Sequence, residues 1–235
     1  SSVNSIMSII TATIIPVLFS TLCRLQGNDE EFKAMFYKFQ KITAYLIIPI
    51  GVALFIFRDL VTITLLGNQW SEASDVVGIW GITSSIVIVY SFFNSEVYRA
   101  KGKPKISFIS QLLHLIFLVP ACLISLKYGF WAFIYTRCIT RLQGVIVGFI
   151  IMSSVMKFST KQTINNTIKP LIYSLLIGIL ASILLNINDT TLWSLIWILI
   201  CGLAYIYIIL VYEKDDLEFI TTKFKNLISN KQISK

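Results

Sequence analysis

The stretch TLWSLIWILICGLAYIYIILVY, residues 191–212, decides the fold class of this chain. It contains no charged side chain, and a helix needs only about 20 residues to cross about 30 Å of hydrocarbon. Because backbone groups find no water inside a bilayer, a crossing segment must be a helix or part of a closed barrel. The stretch lacks the period-2 alternation of barrel strands, so it predicts a membrane-spanning helix.

Segments of the same kind fill most of the sequence that precedes this stretch. The chain is 56% hydrophobic and 14% charged, whereas a soluble domain is about 45–50% apolar and about 25% charged. We therefore predict an all-α, polytopic membrane helix bundle of about seven transmembrane helices. Five spans fall within residues 1–155, two additional spans within 156–212, and a tail covers 213–235. The six other spans run roughly over 3–22, 42–66, 76–97, 106–127, 130–155 and 169–188.

The basic residues alternate between the two sides of these spans. Sixteen of the 20 Lys and Arg residues fall in the loops and tail on one side, and two fall on the other. Cytoplasmic loops carry an excess of Lys and Arg, so the first group marks the cytoplasmic side. We expect the sequence to begin outside the cell membrane and to end in the cytoplasm. The net charge of +8 is then a signal of topology, with attraction to membrane lipids as a secondary consequence and no nucleic-acid partner.

Two segments outside the spans have helical periodicity. Residues 24–41 carry Phe32, Phe36 and Phe39 at helical spacing behind a capping Asn28 or Asp29. They predict an amphipathic cytoplasmic helix that lies along the inner membrane surface. The tail from Glu213 predicts a second surface helix. Because the chain lacks an initiator Met and opens on an apolar run, we expect it to be the C-terminal part of a longer protein.

Arg137 and Arg141 are the most informative polar residues of the spans. They lie about 10 Å and 16 Å into the fifth span, at about 1.5 Å per residue, and each costs about 2.5–3.5 kcal/mol there on insertion scales. Their i, i+4 spacing places both on one helix face. Gly144 and Gly148 continue that face as a close-packing stripe.

We expect this arginine face to meet protein or a water-filled cavity, where two adjacent guanidinium groups would bind an anionic head group such as phosphate or carboxylate. The alternative is a structural role, in an internal ion pair or in contacts to backbone carbonyls. Apart from Asp59, near the outer end of the second span, Glu96 is the only acidic residue within a span, and a single Glu cannot neutralise two Arg.

Other polar side chains inside the spans form stripes that could line the same cavity. Ser107, Gln111 and His114 are spaced i, i+4, i+7 on the fourth span, and His114 alone is more simply a packing residue than a ligand. The candidate lining residues are Tyr90, Asn94, Glu96, Gln111 and His114.

Signals for catalysis or cofactors are missing from the sequence. One His cannot supply a metal cluster, and there is no HExxH, no phosphate-binding Gly-rich loop and no GxSxG. The four cysteines form no CxxC pair and are expected to be reduced, buried hydrophobes. We predict no catalytic residues, no metal and no cofactor, and a transporter rather than an enzyme.

Two stretches carry a resemblance to a known family. The run PVLFSTLCRLQGNDEEFKAMFYKFQKITAYLIIPIGVAL (16–54), followed by LLGNQWSEAS (65–74) and the turn RAKGKPK (99–105), resembles the bacterial polysaccharide flippases of the multidrug/oligosaccharidyl-lipid/polysaccharide exporter superfamily. The resemblance covers about residues 10–155. The matching positions are Pro16, Ser20, Arg24, Leu25, Gln26, Asp29, Pro49, Gly67, Trp70, Ala100, Gly102 and Lys103.

The resemblance implies a transporter of two lobes around a central cavity, of which this chain is the second lobe plus two helices. It implies alternating access and a lipid-linked oligosaccharide substrate, an undecaprenyl-pyrophosphate repeat unit for O-antigen, capsule or exopolysaccharide. A polysaccharide polymerase and its chain-length machinery are possible partners, and the location would be the bacterial inner membrane. The alternatives are a drug or cation antiporter of the same superfamily and a membrane enzyme acting on lipid-linked sugars. Short outer loops without His argue against the enzyme, and the single intramembrane Glu argues against the antiporter.

Overall fold

The computed structural model describes the backbone of residues 2–188 and 190–213 and the side chains of these residues except 2–6, 9 and 10. Within these ranges the chain is helical and contains no strand. Short 3-10 turns at Asn68–Ala73 and Leu126–Tyr128 and a π-helical turn at Ile88–Phe92 join some of the helices. The α-helices are α1 (Ser2–Arg24), α2 (Asp29–Ile56), α3 (Arg58–Leu66), α4 (Ser74–Val87), α5 (Asn94–Ala100), α6 (Pro104–Ser125), α7 (Phe130–Ser154), α8 (Thr160–Ile187) and α9 (Thr191–Tyr212).

Six helical stretches in the described residues are long and apolar enough to cross a membrane. The predicted span 3–22 lies within α1, which contains the apolar segment Thr11–Arg24. The prediction of a polytopic membrane helix bundle is confirmed. The six stretches are Asp29–Ile56, Asn68–Ala100, Pro104–Tyr128, Phe130–Ser154, Thr160–Ile187 and Thr191–Tyr212.

The chain divides into two compact units, one up to Leu175 and one from Leu176. In the second unit, the Trp193 and Trp197 rings stack with centroids 5.3 Å apart, and the Trp197 indole N–H donates to the Asn188 carbonyl oxygen at 3.1 Å. The predicted tail helix lies outside the described residues, apart from Glu213.

The structure corrects the prediction of a separate surface helix at 24–41. One continuous helix, α2, begins at Asp29 and runs on to Ile56, and the Asn28 side chain caps it by accepting the Glu31 backbone N–H at 3.3 Å. The aromatic face does not rest on the membrane surface. Phe32 and Phe36 are buried and pack edge-on against Phe158, which follows α7. Protein contacts therefore cover the face that was expected to contact lipid.

The basic loops of the first unit meet at one end of the bundle. Lys101 forms an ion pair with Asp29 and lies 4.2 Å from the centre of the Phe32 ring. The Gln26 side chain donates to the Ala100 carbonyl oxygen. The Tyr37 hydroxyl accepts the Ser159 backbone N–H at 2.7 Å, which adds the segment after α7 to the same end. The structure thus brings together three segments that the charge pattern assigned to one side of the membrane.

Glycines allow α2 and α4 to pack with almost no side chain between them. A Cβ on Gly51 would lie 2.3 Å from the Ser85 hydroxyl oxygen, and one on Gly81 would lie 2.8 Å from the Leu54 Cβ. Small residues permit such close approach between membrane helices, where van der Waals packing drives association. This contact fixes α4, and with it one wall of the site described next.

Candidate functional site

The arginine face of α7 turns toward α4 and the π turn. Arg137 and Arg141 lie one helical turn apart on α7. Further along the same face, a Cβ on Gly148 would lie 2.7 Å from the Asn94 amide nitrogen. The missing side chain at Gly148 lets α7 approach the start of α5 closely. The face is therefore covered by protein at Gly148, while Arg141 and Gly144 lie beside a cavity.

Arg141 is held by α4 from two directions. One guanidinium nitrogen, Nη1, donates to the Ser84 hydroxyl oxygen at 2.9 Å. The guanidinium carbon lies 4.4 Å from the centre of the Trp80 ring, a cation–π distance. Arg137 lies farther from the same ring, at 6.0 Å. One indole therefore supports both cations from the α4 side.

The charge of the arginine pair is not neutralised by the part of the chain that the structure describes. No carboxylate in residues 2–188 or 190–213 lies within ion-pair distance of either guanidinium. Glu96, the one acidic candidate inside a span, instead pairs with Arg99 at 3.1 Å. The alternative of a Glu96 pair with Arg137 or Arg141 therefore finds no support. Arg141 keeps donors available for an anion beyond its single bond to Ser84.

Two neighbouring cavities open along α6 and the π turn, with volumes of about 230 Å³ and 320 Å³. Val87, Ser91, Ser110 and Gln111 line both, so the two form one continuous groove. We call it the polar groove. Its polar lining residues are Ser91, Asn94, Ser95, Glu96, Tyr98, Ser107, Ser110, Gln111, His114 and Arg141.

Hydroxyl and amide groups dominate this lining, and the charged side chains of Arg141 and Glu96 lie toward opposite ends of the polar groove. Arg141 and His114 line the smaller cavity, while Glu96 lines the larger one beside Arg99. The His114 Nδ1 atom lies 3.4 Å from the Gln143 side-chain oxygen of α7, so this pair joins α6 to α7. A surface of this composition suits a ligand with many hydroxyl groups and one anionic group.

The structure brings five of the seven predicted site residues to the polar groove. They are Asn94, Glu96, Gln111, His114 and Arg141. Arg137 is one turn removed and does not line either cavity. Tyr90 is also outside, because its hydroxyl forms a 2.6 Å hydrogen bond with the Thr167 hydroxyl of α8 and its ring packs 5.6 Å from Phe149.

Sequence reasoning missed the α4 side of the site. Trp80, Ser84 and Ser91 are not among the residues predicted for the site. Their spacing, i, i+4 and i+11, follows one helix face and was a usable signal. Hydroxyl groups on apolar spans are easily overlooked because Ser commonly bonds its own helix backbone, as Ser85 does to the Ile82 carbonyl.

The first part of the chain matches a known family. Residues 1–75 match a family model described as "Polysaccharide biosynthesis protein". No curated protein and no solved structure matches the chain. The matched residues include α1, α2 and α3, whereas Arg141 and most of the polar groove follow them. The match supports a role in polysaccharide synthesis or export for a multi-pass membrane protein.

Proposed function

We propose that this chain is part of a flippase that moves a lipid-linked oligosaccharide from the cytoplasmic to the outer leaflet of the bacterial inner membrane. The substrate would be an undecaprenyl-pyrophosphate repeat unit for O-antigen, capsule or exopolysaccharide. One observation carries the proposal: a groove lined by hydroxyl and amide groups contains Arg141, which has no carboxylate partner among the described residues. The match to a polysaccharide biosynthesis family supports the same substrate class.

Each part of such a substrate has a counterpart in the groove. The sugar hydroxyls would replace their hydrogen bonds to water with hydrogen bonds to the side chains of Ser91, Ser110 and Gln111. A phosphate or an acidic sugar would bind the Arg141 guanidinium, whose planar fork matches both groups. The lipid chain would remain in the bilayer along the exposed apolar face of α6, where Ile116 and Phe117 are more than half exposed. The groove then carries only the polar part of the substrate across.

A drug or cation antiporter is the main rival. It would require a carboxylate free to bind a cation inside the membrane. Glu96 is buried beside the groove, but its carboxylate already accepts two hydrogen bonds from Arg99, at 3.3 Å and 3.1 Å. In the same groove Arg141 would repel a cationic drug. The electrostatics of the site therefore favour an anionic passenger.

The proposal is tested by replacing both arginines with glutamine in the producing cell. Arg137→Gln with Arg141→Gln should abolish surface polysaccharide, because the anionic head group loses its counter-charge inside the membrane. Membrane insertion, followed by immunoblot of the membrane fraction, should be unchanged. Lys127→Gln, an exposed cation outside the groove, is the matched control and should leave polysaccharide at the normal level. Normal polysaccharide in the double variant would refute the proposal.

A further inference from the structure

The span Asn68–Ala100 is interrupted by the π-helical turn Ile88–Phe92. A π turn contains one residue more than the α turn it replaces, and its backbone bonds run from i to i+5. The extra residue leaves a backbone carbonyl without its ordinary partner. Where the turn faces the protein interior rather than the groove, such a group must be satisfied by protein, because no water reaches it inside a bilayer.

Side chains satisfy the carbonyl oxygens of this turn. The Gln40 amide of α2 donates to the Val89 carbonyl oxygen at 3.1 Å. The Asn94 amide donates to the Tyr90 carbonyl oxygen at 3.5 Å, and the Ser95 hydroxyl donates to the Phe92 carbonyl oxygen at 3.4 Å. Asn94 and Ser95 belong to the same span, so Gln40 is the donor in this set that reaches the turn from another helix.

The Gln40 side chain is buried, and its nitrogen bonds the Val89 carbonyl oxygen. The residue is 1% exposed, and its side-chain oxygen, Oε1, has no hydrogen-bond partner in the described chain. The unpaired oxygen of a buried amide carries a desolvation cost, which the hydrogen bond from its nitrogen to Val89 partly offsets. Val89 is also 1% exposed, so water from the groove does not replace this bond.

The turn matters because its own first residues and the segment after it pack into different hydrophobic clusters. Ile88 and Val89 pack in a cluster with Ile47 and Leu54 of α2. Beyond the turn, Phe93 and Val97 pack in a second cluster with Leu18 of α1 and other residues. A single residue rotates an α-helix by about 100°. The additional residue of the π turn thus sets the angle at which α5 presents its side chains relative to α4.

We propose that Gln40 is a positioning residue of the polar groove: by bonding the Val89 carbonyl it holds the π turn, and the π turn keeps Asn94 and Ser95 on the groove side of the span. If the turn contracts to α-helix, the segment after it rotates by about 100° and carries these side chains out of the groove. This inference concerns the geometry of the groove and does not depend on the identity of the transported molecule.

The test uses thiol labelling in the full chain with its four native cysteines replaced by serine. A cysteine in place of Ser95, which lines the larger cavity, should react with a hydrophilic maleimide in membrane vesicles. Gln40→Leu should reduce that labelling to the background of the cysteine-free protein. A cysteine in place of Ser110 on α6 should stay reactive in both backgrounds, because α6 lies outside the rotated segment.

A deletion separates a positioning role from a merely structural one. Phe92 is the exposed residue of the turn, and deleting it removes the additional residue of the π turn. The turn can then become α-helical while α5 keeps the rotation about the helix axis that it has in the wild-type protein. Deletion of Phe92 in the Gln40→Leu background should restore labelling at position 95. Thr43→Val, a change at a buried α2 residue that bonds its own helix at the Phe39 carbonyl, is the control and should not alter labelling.

Two results would overturn the proposal. One is unchanged labelling of position 95 in Gln40→Leu, which would mean that packing alone holds the turn. The other is loss of labelling that the Phe92 deletion does not restore, including the case in which neither variant accumulates in the membrane, because Gln40 would then only stabilise the fold.

Discussion

At the scale of single residues, the site depends on how Arg141 is held. Its guanidinium is fixed by the Ser84 hydroxyl and the Trp80 ring, and neither contact neutralises its charge. An arginine that has no ion pair in the described chain at membrane depth is costly, and such residues commonly mark a substrate or ion pathway. The Arg141 guanidinium therefore has a fixed position and can still bind an anion.

Trp80 should report the arrival of an anion. In a variant with Trp80 as the sole tryptophan, pyrophosphate or a lipid-linked oligosaccharide should change the indole emission, because the anion draws the Arg141 guanidinium away from the ring. The cation–π contact that is lost is worth about 0.5–2 kcal/mol, so the ring environment should change measurably. The measurement is a fluorescence titration in detergent.

Arg141→Gln in the same single-tryptophan protein is the control, since it removes the cation that couples the anion to the ring. Arg141→Lys should retain a weaker response, because an ammonium keeps the charge and loses the planar fork. An equal response in the wild-type and Arg141→Gln proteins would show that the anion acts elsewhere.

At the scale of helices, the contact between α2 and α4 is the one where an added methyl group would clash most severely. Gly51→Ala should lower stability by an amount typical of overpacking, about 1–3 kcal/mol, because its Cβ would lie 2.5 Å from the Ser85 Cβ. Gly202→Ala on α9 has no heavy atom within 4 Å of the new Cβ and is the matched control.

Thermal unfolding of the detergent-solubilised protein measures the effect. A clear drop in midpoint temperature for Gly51→Ala and no drop for Gly202→Ala are expected. Equal midpoints for the two variants would contradict the close packing of α2 on α4.

The positions of the helices could be predicted from the sequence, whereas the π turn could not. The length and apolarity of the spans depend on local composition, so hydropathy was enough to place the helices of a membrane bundle. The π turn depends on a carbonyl partner supplied from α2, 49 residues earlier in the sequence, and no local pattern contains that information. This explains why Tyr90 lines neither cavity. In a regular α-helix Tyr90 and Asn94 share a face, but the π turn separates them, with Tyr90 toward Thr167 and Asn94 toward the groove.

The surface helix expected at 24–41 was wrong for a related reason. Its periodicity was real, and the buried face is the aromatic one that the spacing indicated. An amphipathic pattern shows that one face must be covered and does not show by what. Phe158, more than a hundred residues later, covers it here.

At the scale of the whole molecule, the account requires a defined orientation in the membrane. We expect the first turns of α2, around Lys33, and the loops around Lys103 and Lys157 to face the cytoplasm, following the excess of basic residues there. A cysteine in place of Lys103 should react with an impermeant reagent in inside-out vesicles only. A cysteine in place of Lys127 should react in intact spheroplasts only. The reverse pattern would invert the direction of transport proposed here.

The measurement that tests the central claim most directly is the solvent environment of position 141 itself. In the cysteine-free protein, Arg141→Cys should react with a hydrophilic thiol reagent, because the groove around it holds water. A lipid-linked oligosaccharide should slow the same reaction at a cysteine in place of Ser110, which lines both cavities and leaves Arg141 in place to bind the anion. If position 141 reacts only with a membrane-soluble reagent, or if the oligosaccharide leaves the rate at position 110 unchanged, the claim that a hydrated groove carries an anionic passenger is contradicted.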